Sequence, residues 1–436
     1  MKVAAIRMAA VAGAVLGMTA AGLAQAKGPA CGVVQRFGAK GDGVTKDTAA
    51  IQAAIDKCAA GPKSAGGKGW APGRVVLAGG TFLTGPILLK SGVVLTIEAG
   101  ATLLGSVDMA DYPKVKFARQ TTVQPLVSAV NAEDVQIQGG GTIDGNGKVW
   151  WDYVKGVKEA GVLGNDHPRP MGVVFDHTKH VRMEGVTVQN AGFWQIVPYY
   201  ADDVVFRNIR ILAPHSPNTD AIDPFSSSNV VIDHVFSSVG DDNIAIKSGA
   251  INSPGPDAPS RNITITDCTF EHGHGLSIGS EIAGGAQNIH AERIHFKGTD
   301  NGIRIKSNRD RGNDVSNISF KDITMEDVKV SILISEYYPK ALPEGEVAAE
   351  PVQRLTPHFH DITIENLKST NSDWAGVIIG LPEAPVKDVV MKNVSIEAKK
   401  GMQIAFATVS GTNVNVKAAE GEGVQVNKTA TVTMAK

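Results

Sequence analysis

Polar and apolar positions recur along this chain with the period of short strands. From about residue 131 a polar residue leads a Val- and Ile-rich alternation, as in Asp134-Val135-Gln136-Ile137, His180-Val181-Arg182-Met183 and Asp203-Val204-Val205-Phe206. The series continues through Asn229-Val230-Val231-Ile232, Asn262-Ile263-Thr264-Ile265, Asn288-Ile289-His290-Ala291, Asn317-Ile318-Ser319-Phe320, Asp361-Ile362-Thr363-Ile364 and Asp388-Val389-Val390-Met391. A second apolar pair often follows, as at Val186 and Val188 or Ile323 and Met325. Period two sends successive side chains to opposite faces of a strand. From residue 180 the step between polar leads varies from 23 residues (His180 to Asp203) to 44 (Asn317 to Asp361), so fixed strands alternate with loops of unequal length. A repeat of roughly 20–50 residues built from short strands signals a solenoid. With no helical period between the strands, leucine-rich repeats and α/β folds are excluded. The pattern predicts an all-β fold, one single-stranded right-handed parallel β-helix whose coils bury Val and Ile against the coils above and below.

The N-terminal part adds strands and one cap. Short apolar runs at 74–77, 81–83, 87–89, 93–97 and 102–104 are separated by turn residues. Before them, Ile51, Ala54, Ile55 and Cys58 form one apolar helical face behind Asp47, a candidate N-cap. This is the only clearly amphipathic helix, and it is expected to cover the N-terminal end of the coil stack, where apolar side chains and strand edges would otherwise be open. A Gly-, Lys- and Pro-rich loop at 61–73 follows the helix. Insertions at 149–170, 248–260 and 337–356 are expected to wall a cleft. Asn262, Asn317 and Asn393 sit in Asn-x-Ser/Thr triplets inside the repeats and read as ladder residues, not glycosylation sites.

Composition narrows the class. The 436 residues include 48 glycines and only 6% aromatics, which suits many tight turns. A net charge of −2 points away from nucleic acid and membrane surfaces as partners, and no segment beyond the N-terminus is apolar enough to span a bilayer. Residues 1–26 read as a signal peptide: Lys2 and Arg7, an apolar run, then Ala24-Gln25-Ala26. A secreted or periplasmic protein is expected, with a mature start near Lys27 and one β-helix domain over 27–436. Cys31 and Cys58 are a candidate disulfide in an exported chain, and Cys268, on an apolar strand position, reads as a buried free thiol.

The candidate chemistry is clustered. Asp220 stands in Asn218-Thr219-Asp220, and 21 residues later comes Gly240-Asp241-Asp242. In a coiled β architecture that step is about one turn, so the three carboxylates would lie on neighbouring rungs. Crowded carboxylates repel, so one tends to hold its proton near neutral pH. A protonated acid beside an ionised base is what glycosidic hydrolysis requires. Two later clusters join them: Gly273-His274-Gly275, whose small neighbours expose an imidazole, and Arg304-Ile305-Lys306, whose alternation aims both cations to one face, a ready site for a carboxylate.

These four clusters, in this order, resemble glycoside hydrolase family 28, the polygalacturonases. Phe37 to Gly43, Gly141-Thr142-Ile143-Asp144-Gly145 and Ser277-Ile278-Gly279-Ser280-Glu281 extend the resemblance over nearly the whole mature chain. It implies a pectin-lyase-like solenoid and hydrolysis of α-1,4-linked galacturonic acid in polygalacturonate, with inversion. By that resemblance Asp241 is the general acid, Asp220 and Asp242 activate water, and His274 keeps the acid protonated and positioned. Arg304 and Lys306 would bind the substrate carboxylate, with Asn218 and Tyr338 as further site residues, Tyr337 beside Tyr338 being the alternative. It implies no metal and no cofactor, and a monomer is expected. Endo cleavage is the leading expectation and exo cleavage the alternative. Rhamnogalacturonan or xylogalacturonan hydrolysis follows. A pectate lyase, which would need Ca²⁺, and a non-catalytic polysaccharide-binding β-helix are the readings furthest from it.

Overall fold

The polar lead of each repeat is a left-handed corner. In the computed structural model, which describes residues 30–59, 73–160, 168–340 and 347–435, Asp134, His180, Asp203, Asn229, Asn262, Asn288, Asn317, Asp361 and Asp388 all have φ between 53 and 57°. Asn and Asp tolerate this region better than other non-glycine residues. The strand that follows each corner pairs in parallel with those of the coils before and after it. One inward position can be followed from Val135 through Val181, Val204, Val230, Ile263 and Ile289 to Ile318, Ile362 and Val389. On another face the stack runs Ile87, Val127, Val173, Ile196, Ile222, Ile244, Leu276, Ile303. These inward side chains merge into one core cluster from Val34 to Val409. The chain is a right-handed parallel β-helix, as the periodicity predicts.

The asparagines are ladders, as expected. Asn262 donates to Asn229 (3.0 Å), Asn288 to Asn262 (3.1 Å) and Asn317 to Asn288 (2.7 Å). Asn393 belongs to a second ladder, donating to Asn366 at 3.0 Å.

The N-terminal helix spans Thr48–Ala59 and buries Ile51, Ala54, Ile55 and Cys58 against the first coil. Asp47 stands at its start, its carbonyl accepting from the Ile51 N–H. Its carboxylate turns the other way, to the N–H groups of Lys40 (2.7 Å) and Gly41 (2.9 Å). It thus braces the preceding Gly-rich turn and does not cap the helix with its side chain. Cys31 and Cys58 are joined in a disulfide, and Cys268 is buried and free. The expected leader over 1–26 and nearly all of the loop at 61–73 lie outside the described residues.

One expectation needs correction. The insertion at 149–170 contains a second helix, Lys148–Glu159, which buries Trp150 and Val154. Trp150, Trp151, Val154 and Val157 recur at i, i+1, i+4 and i+7, so a helical period is present in the sequence here too. No described helix is long and apolar enough to cross a membrane. This insertion enters the Val173–Asp176 strand, whereas those at 248–260 and 337–356 leave Ile244–Ser248 and Val330–Ser335. They therefore rise on opposite sides of one sheet face.

Asn288→Ala should lower the unfolding free energy by about 1–2 kcal/mol, because a Cβ without the amide is strained at positive φ. Asn288→Gly should cost less, since glycine accepts that φ. Urea midpoints decide it: equal losses would place the effect in the ladder bonds alone.

Candidate active site

The acid clusters lie at the turns entering one outward sheet face. In Ile244–Ser248, Leu276–Ile282 and Asn301–Lys306, the isoleucines and Leu276 point inward, and Ala245, Ser277 and Arg304 align outward. The turns that precede these strands are stitched together. Thr219 Oγ1 accepts from the Gly240 N–H (3.1 Å), and Asn218 Nδ2 donates to Asp241 Oδ2 (3.3 Å). The Ala221 N–H donates to the Asp242 carbonyl (2.9 Å) and the His274 N–H to the Asp241 carbonyl (2.8 Å). So coils 21 residues apart place their carboxylates side by side. The glycines around His274 serve this stacking. Gly273 and Gly275 have φ of 98 and 81°, and a Cβ on either would stand 2.4 Å from the Asp241 carbonyl oxygen or 2.0 Å from that of Asn301.

Asp242 is buried and fully engaged. Its Oδ1 accepts from Ser277 Oγ (2.8 Å) and an Arg304 Nη (3.0 Å), its Oδ2 from Lys306 Nζ (2.8 Å). Burial pushes its carboxyl up, yet Lys306 and Arg304 hold it below the usual carboxylate range. Arg304 and Lys306 share the outward face, as their alternation predicts, but they do not stand free in solvent: both are buried against Asp242. Small Ser277, on the one intervening rung, and Ala245, on the rung of Asp242 itself, leave them room to reach it.

Asp220 has the opposite character. Burial, and then the charge of Asp241, push its carboxyl up to about 7, against the pull of Lys247 at 3.5 Å. It is the carboxyl that keeps a proton near neutrality. Burial also pushes Asp241 up, but its Oδ1 lies 2.9 Å from His274 Nδ1, and the net effect is well below the usual range. That hydrogen bond to Asp241 raises the pKa of His274, whose Nε2 faces Asp300 at 3.5 Å. The site therefore combines a protonated carboxyl, a His⁺–Asp⁻ pair holding one mobile proton, and a pinned carboxylate.

Of the two adjacent tyrosines, Tyr338 faces the Arg304–Lys306 pair. Its ring centroid is 5.3 Å from the Arg304 guanidinium and 5.1 Å from Lys306 Nζ. Tyr337 turns away, packed with Ile379 and Leu381. Trp194, Asp223 and Arg169 had no signal of their own in the sequence, whereas Glu281 stands in the Ser277–Glu281 motif. Glu281 pairs with Lys247 at 3.7 Å, and Trp194 lies under the same ammonium, 5.1 Å from its ring centroid. Asp223 is fully buried, and among the described residues neither carboxyl oxygen has a hydrogen-bond partner; burial raises its pKa well above the usual value, so it is neutral. Arg169 touches Asn218. The donor atoms of Asp241, Asp242 and His274 lie within 4.8 Å of one another, a spacing that would admit a cation; Asp233, His234 and Asp267 form a second such group.

The pattern of the Glycosyl hydrolases family 28 matches residues 71–420. The chain belongs to this family. Among relatives of the family 28 chain, an endo-polygalacturonase of Pectobacterium carotovorum subsp. carotovorum is 30% identical over 83% of this chain and 87% of its own length. A probable polygalacturonase of Vitis vinifera is 30% identical over 83% and 73%. The crystal structure of a hyperthermoactive exopolygalacturonase from Thermotoga maritima superposes with a TM-score of 0.72 at 30% identity, over 90% of this chain and 91% of that one. This chain is thus a glycoside hydrolase, with its four motif clusters gathered on one face.

In this family 28 hydrolase, Asp241→Asn should lower the pKa of Asp220 from about 7, because it removes the neighbouring negative charge. A carboxyl ¹³C NMR titration reads this directly, and an unmoved Asp220 would leave burial as the sole cause.

Proposed function

We propose that this protein is an exported polygalacturonase that hydrolyses α-1,4-galacturonosidic bonds of polygalacturonate with inversion. One observation carries the reading: a proton-bearing Asp220 and an ionised Asp241 and Asp242 share a face with Lys247, Arg304 and Lys306. A galacturonate unit brings its own carboxylate to that face, and the cations answer it. Asp241 is the general acid. Its proton comes from His274 Nδ1 across the 2.9 Å hydrogen bond and passes to the leaving glycosidic oxygen as the C1–O bond breaks. Asp220 and Asp242 activate the water: proton-bearing Asp220 holds it by a hydrogen bond, and ionised Asp242 takes its proton as the new C1–O bond forms from the opposite side. Arg304, Lys306 and Tyr338 hold the sugar carboxylate, and Asn218 completes the site. The substrate partner is a pectic polysaccharide, and the leader over 1–26 directs one catalytic domain, 27–436, to the periplasm or the medium.

Endo cleavage is the mode we propose, in line with the Pectobacterium relative. Exo cleavage is favoured by one specific feature. The antiparallel hairpin of Lys114–Phe117 and Gln120–Val123 carries Arg119 at its tip. Arg119 donates to Asp257 (2.8 Å) and the Pro256 carbonyl (3.0 Å) of the facing insertion. Beneath it, Phe117 and Ala118 pack in one cluster with the outward-facing Val174 and Val197, which are buried. A polymer lying along the face would meet this strap just N-terminal to the acid cluster.

A product time course from de-esterified polygalacturonate, with chelator present, tests all of this. Endo hydrolysis yields a mixed ladder of saturated oligomers. Monomer or dimer from the outset selects exo action. Unsaturated products absorbing in the ultraviolet, or dependence on Ca²⁺, would identify a lyase and sink the proposal. Asp241→Asn should keep the fold and lower turnover by about 10²–10⁴-fold, because an amide cannot deliver a proton. Turnover should also fall as pH rises through the elevated pKa of His274, where the pair loses its proton. A profile flat across that limb would remove His274 from the proton path.

A further inference from the structure

Arg169 reaches the acid pair through an amide. Its side chain is 3% exposed, with the guanidinium 4.6 Å from the centroid of the Phe193 ring. One terminal nitrogen donates to the carbonyls of Gly192 (3.1 Å) and Pro217 (2.8 Å), and the other to Asn218 Oδ1 at 3.0 Å. Asn218 sits at φ 56°, with its Nδ2 3.3 Å from Asp241 Oδ2. The oxygen and nitrogen of an amide have the same shape and exchange places by a half-turn, but a guanidinium has only donors. Arg169 therefore fixes which way round the amide sits: oxygen towards itself, NH₂ towards Asp241. Reversed, the amide oxygen would face an ionised carboxylate and repel it. The other carboxyl oxygen of Asp241 accepts from the Asp242 N–H at 3.0 Å and faces His274 Nδ1 at 2.9 Å. The Asn218 bond thus holds the far end of a carboxyl group already held at the near end.

We infer that Arg169 is a positioning residue for hydrolysis, acting through the Asn218 amide to aim the Asp241 carboxyl. The inference rests on Asp241 being the general acid. A purely structural role would need only the bonds to Gly192 and Pro217; the third bond, to an amide that itself touches the acid, is what sets this arginine apart.

The test compares Arg169→Met, Arg169→Lys, Asn218→Ala and the Arg169→Met/Asn218→Ala pair in the full chain, each checked by circular dichroism and melting. In Arg169→Met, kcat on de-esterified polygalacturonate should fall about 10–100-fold, with KM within about twofold, since small misplacement of a reacting group loses rate on that scale. The alkaline limb of its kcat–pH profile should move upward, because losing a nearby cation and an oriented donor both favour protonated Asp241. Asn218→Ala, which loses the donor and keeps the cation, should move the limb in the same direction by a smaller amount, and the rate loss of the pair should be no worse than that of its worse member, as for residues acting through one contact. Arg169→Lys keeps the charge but not the fork, so it should recover the limb better than the rate. A lowered melting temperature with kcat and the limb unmoved, or additive losses in the pair, would overturn the inference. If Arg169→Met does not fold, Asn218→Ala and Arg169→Lys carry the test, and an unmoved limb in Asn218→Ala is decisive against it. Asp241→Asn is run alongside: retained turnover there overturns the acid assignment itself, and the inference with it.

Discussion

The parallel hydrogen-bonded rung is the constraint on which everything else depends. Neighbouring strands in a sheet stand about 4.8 Å apart, so residues one coil apart in sequence become lateral neighbours in space. Asp220 and Asp241 meet because the Ala221 N–H bonds the Asp242 carbonyl, and His274 joins them because its own N–H bonds the Asp241 carbonyl. The side chains of the site are placed by main-chain bonds, and those bonds are held by the isoleucines beneath them. Ile222, Ile244, Leu276 and Ile303 are all fully buried under the acid cluster. A side-chain cluster built this way needs no long loop to assemble it.

Stacking charged side chains one rung apart brings a penalty that the same geometry offsets. Buried carboxylates raise one another's pKa and resist ionisation. Here the next coils supply the opposite charge at the same height: Lys247 to Asp220, His274 to Asp241, Arg304 and Lys306 to Asp242. The partners are unequal, and so are the outcomes. Asp242, with two cations and a hydroxyl, is held ionised. Asp220 has one ammonium at 3.5 Å, which Glu281 shares, and it keeps its proton to about 7. Chemically identical side chains on adjacent rungs are thus driven to different protonation states, as acid–base work on a glycosidic bond demands.

The fold was legible because its two rules are local. Period-two alternation marks the strands, and an Asn, Asp or His lead marks each left-handed corner, so Asn262 or Asp361 announces a rung by itself. The acids and His274 were legible because short turns of fixed register carry them, and the Arg304–Lys306 pair because strand alternation aims both side chains to one face. Tyr338 could not be told from Tyr337 by sequence, since adjacent residues differ only in which side they face. Glu281 and Lys247 pair across coils, and no local pattern links them. The hairpin bearing Arg119 lies outside the rungs, where the coil register does not apply, whereas the helix Lys148–Glu159 carries a short helical period of its own inside an insertion. Asp47 shows the same limit in small: the sequence located the helix start, but not that the carboxylate would choose the Lys40–Gly41 turn.

This division between rungs and insertions has a functional meaning. Chemistry is written in the rungs, where the ladder fixes distances to within a hydrogen bond. Access is written in the insertions, which can lengthen without disturbing a single ladder bond. The strap formed by Arg119 with Asp257 and Pro256 packs on Val174, Val197 and Phe225, the last on the coil of Asp220, and its hydrogen bonds go to the 248–260 insertion, not to Asp241, His274 or Arg304. Altering it would change how far a polymer can extend along the face while leaving the proton path intact. Arg169 is the exception that ties the two layers together. It enters from the end of an insertion, yet its guanidinium bonds the amide that touches the acid. A change in that insertion can therefore reach the chemistry through a residue whose fork is already fixed by two main-chain carbonyls.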